Sequence, residues 1–346
     1  MRNHDLLRVA QHHSRLAAEK TQEQASVTFL NMPDRHKLVI RLLAVVGLLV
    51  AVAFAVDLNA AMASLLDADL SLTILAIILV QGQIVLSAYR WHFTTKRLGR
   101  PLPIRRAISE YYLASLLNMV LPGGVGGDAV RATREGQARD GAGEKAYGVA
   151  ASAVVLERLA GQVAFFMVAA IGIACWPLLL GETLPVGTGW LLAAPPLIFG
   201  ALVLLAWIGT RLAPRPLANW LKTLGPSIRK AWLTDGAWLV QGMLSLAIAL
   251  LYIAVFALAS AAIGAPLGLL AAAALIPLVL LTMLVPISIG GFGLREGAAA
   301  ALWPLAGFTG SDGLAAALLY GVVSIVGALP GALVLLKRSS AASSRA

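Results

Sequence analysis

The chain has a single cysteine, Cys175, so an intrachain disulfide is excluded and a thiolate metal cluster is not expected. Charge is scarce as well: 13% of the 346 residues are charged and 59% are hydrophobic, with a mean hydropathy of +0.82. No ordinary soluble domain has that balance. The histidines His4, His12, His13, His36 and His92 fall in the N-terminal segment or at the end of an apolar run. None is spaced with carboxylates as a metal set would be, so they read as solvated, and no metal or other cofactor is expected. A Walker-type phosphate loop is missing, so ATP hydrolysis within this chain is not expected. Acid is the scarcer sign, with 17 Asp plus Glu against 27 Lys plus Arg and a formal charge of +10. In a soluble protein such an excess suggests nucleic acid. Here the bases lie between apolar runs, where they read as topology signals and contacts with anionic lipid headgroups; nucleic acid is not an expected partner.

What the chain does have is long apolar runs. Seven read as spans, at 38–56, 70–90, 149–175, 190–209, 237–263, 267–285 and 313–336, each near the roughly 20 residues a bilayer requires. Two shorter apolar pieces, 107–121 and 297–309, adjoin the motifs described below. Residues 1–37 are too long and too weakly apolar for a signal peptide and read as a polar, largely disordered tail; 38–336 form one membrane domain, and 337–346 a second tail.

The loops 91–106 and 210–236 are rich in Lys and Arg, whereas 57–69 carries Asp57, Asp67 and Asp69 and no base. The basic loops therefore face the cytoplasm, together with both termini. Even parity then requires that one short piece cross or one run turn back. Segment 107–121 is expected to enter and return, and 267–309 to cross as a broken element. The expected fold is an all-α polytopic membrane protein with about seven to eight transmembrane helices, two short broken or re-entrant elements and an inverted repeat. Trp91, Trp176, Trp190, Trp207 and Trp232 are expected at the interfaces.

The strongest functional signal is a repeated spacing. Pro122, Gly126, Gly127 and Arg131 in LPGGVGGDAVR match Pro286, Gly290, Gly291 and Arg295 in VPISIGGFGLR. Lipid cannot satisfy opened backbone, so irregular Gly/Pro chain at membrane depth must be buried in protein or line a wet cavity. Asp128 is read as the N-cap of a helix carrying Arg131 on its first turn, an arrangement suited to anions; Arg134 can add a further donor. Gly123 and Gly124 belong to the first glycine run, and Glu296 follows Arg295 in the second. Within the run 149–175, Glu157 and Arg158 lie roughly 12–14 Å from its start. A charge near a helix centre costs at least about 2.5–3.5 kcal/mol, so each needs a partner. As adjacent residues they do not face one another. Glu157 is matched to Arg131 or Arg295, and Arg158 to Glu296 or a substrate. A structural ion pair locking helices is the competing reading. Glu110 reads as a residue at headgroup depth, and Gln81 and Gln83 as either packing groups or cavity lining.

The strings NMVLPGGVGGDAVRA, VVLERLAG and VPISIGGFGLREGA, in that order, resemble the lysylphosphatidylglycerol synthase transmembrane-region family, also described as flippase-like integral membrane proteins. The resemblance covers about 38–336. It implies movement of a phospholipid or glycolipid between leaflets, with Pro122, Gly123, Gly126, Gly127, Asp128, Arg131, Glu157, Arg158, Gly290, Gly291, Arg295 and Glu296 as cavity residues. Some members add a C-terminal aminoacyl-transferase domain; this chain ends about ten residues after its last run, so aminoacyl transfer is not carried over. Similar stand-alone members occur beside glycolipid or hopanoid pathways, which widens the choice of lipid and makes envelope-lipid biosynthetic enzymes conceivable partners. The leading expectation is a translocator of a polar or anionic lipid in a bacterial inner membrane, passive or gradient-driven, with Glu157 or Glu296 as proton carrier. The alternatives are a lipid-modifying enzyme using Asp128, Glu157 and Glu296 as acid or base, and a non-transporting scaffold. The translocator reading expects the two kinks to meet around a guanidinium-lined, water-accessible chamber.

Overall fold

The computed structural model describes residues 57–121, 125–137, 144–180, 204, 208, 211, 215–284 and 290–334, and all secondary structure among them is helical. Pro122, Gly123, Gly124 and Pro286 lie outside the described residues, as do both tails, the run 38–56, nearly all of 190–209, and Trp190 and Trp207.

The acidic stretch after the first run is more ordered than its sequence implies. Asp57 accepts from the backbone N–H groups of Asn59 and Ala60 at 2.9 and 3.1 Å, which starts a short helix, α1 (Leu58–Leu66). Asp69 does the same at Leu72 and opens α2 (Leu70–Arg97). The sequence reading ended this span at residue 90, yet the helix runs on to Arg97, because Arg90 and Trp91 point into the bundle and leave no reason for it to stop.

Then come α3 (Ile104–Val120), α4 (Gly126–Gln137) and α5 (Glu144–Leu180). The second half holds α6 (Arg215–Ile228), a π turn (Arg229–Leu233) and α7 (Ala237–Ala262). It continues with α8 (Leu269–Leu281), a 3-10 turn (Thr282–Leu284), α9 (Leu294–Leu302) and α10 (Gly310–Ala328).

Among the described residues four helices are long and apolar enough to cross a membrane: Leu70–Arg97, Ala146–Cys175, Ala237–Ala262 and Gly310–Val334. They match four of the seven expected spans. The run 267–285 yields only the 13-residue α8, about 20 Å long, which cannot cross a bilayer alone.

The helices pack through small residues. Ala76, Ala88, Ala153, Ala249, Ala259 and Ala315 are fully or almost fully buried where α2, α5, α7 and α10 meet. Short side chains let helix backbones approach, which is how helices associate where lipid is as apolar as leucine. Large apolar side chains such as Leu70, Ile78, Met167, Met243 and Leu250 face outward instead. An apolar exterior over a close-packed small-residue interior is the pattern of a multi-pass membrane protein.

Candidate functional site

α3 and α4 form a hairpin held by one side chain and one missing side chain. Asn118 near the end of α3 accepts from the Gly127 N–H at 2.8 Å, and its amide nitrogen donates to Asp128 at 3.3 Å. A Cβ on Gly127 would lie 2.0 Å from the Ala114 carbonyl oxygen, so only glycine fits this crossing. α4 therefore starts at Gly126, which places Asp128 inside its first turn instead of at the N-cap. The backbone donor expected to greet an anion is already taken by Asn118, which sequence reasoning passed over. Asn118→Ala is expected to leave the Gly127 N–H unsatisfied and to cost about 1–3 kcal/mol, read as a lower melting temperature of the purified protein.

Freed from capping, Asp128 bridges two arginines: Arg131 Nε at 2.8 Å and Arg158 Nη2 at 2.6 Å. Glu157, fully buried, lies between Arg131 Nη2 and Arg90 Nη2, each at 2.6 Å, and accepts from the Tyr111 hydroxyl at 3.1 Å. The Glu157–Arg131 pairing is one of the two expected from sequence. Arg158 pairs with Asp128 and not with Glu296, because α5 packs against α4 whereas α9 packs against α10 and α8. Glu157 and Arg158 do point apart: the first is sealed, and the Arg158 side chain is 39% exposed.

Arg90 was missed; it also donates to Ser245 on α7 at 3.0 Å, tying α2, α5 and α7 together. Its signal was available, since it precedes Trp91 in an otherwise apolar stretch, but it fell at the assumed end of the span. Trp91 is fully buried, not interfacial. Its ring lies 4.9 Å from the Arg131 guanidinium carbon, with the Tyr111 ring 4.6 Å away. The arginine is thus held by two carboxylates and two aromatic faces, and the rings replace water.

The second copy repeats this chemistry with fewer groups. Gly290, Gly291 and Gly293 all have positive φ, and the chain then enters α9 with Arg295 and Glu296 in the first turn. Glu296 bends back to accept from the Gly293 N–H at 2.6 Å, which brings its other oxygen to 2.5 Å from Arg295 Nη2. That backward turn explains why adjacent residues pair here, against the expectation that Glu296 would serve Arg158. Phe292 and Tyr320 cover the guanidinium at 4.9 and 5.3 Å.

Gly290 of the second copy packs against the end of α3, the helix that leads into the first copy. A Cβ on Gly290 would lie 2.5 Å from the carbonyl oxygen of Met119 at the end of α3. Among the described residues the two arginines line no open chamber: Arg131 is 1% exposed and Arg295 0%, each closed off by carboxylate and aromatic groups. Yet Nη1 of both arginines is buried with no hydrogen-bond partner among the described residues.

Other readings need adjustment. Glu110 is buried and paired with Arg134 at 2.8 Å, so each is already engaged by the other. Arg100 and Arg106 donate to the carbonyls of Glu135 and Arg134 at the end of α4, so these loop cations clamp a helix terminus. Gln81 joins the Tyr112 hydroxyl and the Gly327 carbonyl, a packing role. His92 is half-buried against the Leu102 carbonyl instead of solvated.

Apolar long helices around a buried Arg–carboxylate network define a polytopic helical membrane protein with polar machinery in its interior. The chain belongs to the Lysylphosphatidylglycerol synthase TM region family, whose model matches residues 38–331. That makes it a membrane protein of lipid biosynthesis or transport. Comparison with curated proteins gave no match.

Proposed function

We propose that this protein moves a polar or anionic lipid between leaflets of a bacterial inner membrane. One observation carries the reading: two glycine motifs of equal spacing, the second packed through Gly290 against the helix end that leads into the first, each bring in a buried arginine with one donor that has no partner among the described residues. Packing alone does not require an arginine in either copy. A headgroup oxygen is the acceptor that such a donor lacks. α3–α4 and α8–α9 are the two halves of an inverted repeat in this reading, each a short element that turns back or breaks within the bilayer. The basic ends of α2 and α6 face the cytoplasm.

The described conformation is then an occluded one. Asp128, Glu157 and Glu296 neutralise the arginines in the absence of lipid, and a headgroup exchanges with them as the helices part. Arg158, the most exposed guanidinium of the network, meets the lipid first. The remaining site residues, Gly126, Gly127, Gly290 and Gly291, hold the kinks close.

Vesicles containing the purified protein and labelled lipids test this. Arg131→Lys and Arg295→Lys, which keep a cation opposite the buried carboxylates but lose the fork of donors, are each expected to slow leaflet exchange roughly tenfold, with folding checked by a thermal melt. Exchange unchanged by both substitutions, or no exchange by the native protein over a broad lipid panel, refutes translocation. Chemically altered lipid recovered from the same vesicles identifies an enzyme instead.

A further inference from the structure

We propose that the turn between α6 and α7 is a headgroup subsite for an anionic phospholipid of the surrounding bilayer, separate from the buried arginine network. The turn is built by a proline. Pro226 has no N–H to offer the Lys222 carbonyl, and α6 gives way three residues later to the π turn Arg229–Leu233. Such wide turns recur at functional sites.

The turn is held rigidly from both sides. Arg97, at the end of α2, donates to the Lys230 carbonyl at 3.0 Å and the Thr234 carbonyl at 2.8 Å, and pairs with Asp235 at 2.9 Å. Trp220 on α6 donates its indole N–H to the Gly148 carbonyl and to Ser152, each at 3.1 Å.

These restraints leave a surface cleft of about 420 Å³, lined by Gly225, Pro226, Arg229, Lys230 and Thr234. Its charge is uncompensated. Asp235 is the sole acid between residues 215 and 236, and Arg97 already engages it. Arg229 and Lys230 are exposed, with no carboxylate partner among the described residues. The Thr234 hydroxyl is spent on the turn itself, donating to the Lys230 carbonyl at 3.1 Å and accepting from Arg97, so the two cations beside an uncharged floor are what match a phosphodiester.

Immediately after the cleft the chain turns apolar. Leu233 and Trp238 are more than half exposed, and Leu239 and Met243 continue the outward face down α7. A free phosphate has no use for that strip, whereas acyl chains lie along it. The cleft and the strip together select a phospholipid, and the cations select a negative headgroup.

The test titrates the full-length protein in detergent with phosphatidylglycerol, phosphatidylcholine or inorganic phosphate, with bound lipid counted by native mass spectrometry. Phosphatidylglycerol is expected to bind in preference to both others. Arg229→Gln with Lys230→Gln is expected to weaken one binding event roughly 30-fold, since each surface cation contributes about fivefold. Arg229→Lys with Lys230→Arg keeps it, which separates charge loss from misfolding. Lys222→Gln, outside the cleft, also keeps it. An undiminished count in the double glutamine variant overturns the proposal, as does equal loss in Lys222→Gln or equal binding of inorganic phosphate. The double glutamine variant is also assayed for leaflet exchange in vesicles, so loss of this binding event with exchange intact, or the reverse, tells this proposal apart from translocation.

Discussion

Replacing Glu157 with glutamine is expected to destabilise the protein by about 3–5 kcal/mol, the usual cost of stranding a buried charge. Glu157 is fully buried and receives Arg90 and Arg131 at 2.6 Å each. Without its charge, Asp128 alone faces Arg90, Arg131 and Arg158, and it reaches only the last two. The size is set less by the attraction lost than by guanidinium groups left in a water-poor interior with nothing opposite them. A thermal melt of the purified variant measures it. A second substitution discriminates between a charge effect and a packing effect: Arg90→Gln added to Glu157→Gln is expected to recover part of the loss, because it removes one stranded cation. Equal stability of Glu157→Gln and the native protein contradicts the network as described.

The second large effect is expected at the contact between Gly290 and the end of α3. Gly290→Ala puts a methyl 2.5 Å from the Met119 carbonyl oxygen, at a residue with φ of 57°. Left-handed backbone and overpacking together are expected to cost about 2–5 kcal/mol, and α3 and the 290–293 turn must separate. Gly307→Ala is the matched control: its φ is 83°, but no atom lies within 4 Å of the added methyl. It incurs only the backbone term, about 1–2 kcal/mol. The difference in melting temperature between the two variants isolates the contact. Lipid exchange in vesicles is expected to fall in Gly290→Ala and to persist in Gly307→Ala. Equal behaviour of the two variants in both measurements contradicts a functional junction there.

Much of the site was legible because charges and glycines are so rare in the apolar runs. Arg131, Glu157, Arg158, Arg295 and Glu296 stood out on that ground, and all but Arg158 prove to be sealed in the interior. Asn118, Arg90 and the ring of Trp91 were not picked out. An asparagine before a proline–glycine run has many uses, and a basic–aromatic pair at a span end ordinarily marks the membrane interface. What distinguishes these residues is the partner each meets, and those partners lie far along the chain: Arg90 meets Glu157 and Ser245.

By itself, then, the sequence determined the helical membrane class, four helices long and apolar enough to span, and the matched spacing of the two glycine motifs. Hydrophobic run length and the cost of open backbone in lipid are local properties, written residue by residue. Pairing was decided only by the tertiary structure. Asp128 left its cap for Arg158 because Asn118 took the Gly127 N–H, and Glu296 turned to Arg295 because it folds back on its own helix start. Which carboxylate meets which guanidinium depends on how helices cross, and small residues such as Gly127 and Gly290 set those crossings by what they leave out.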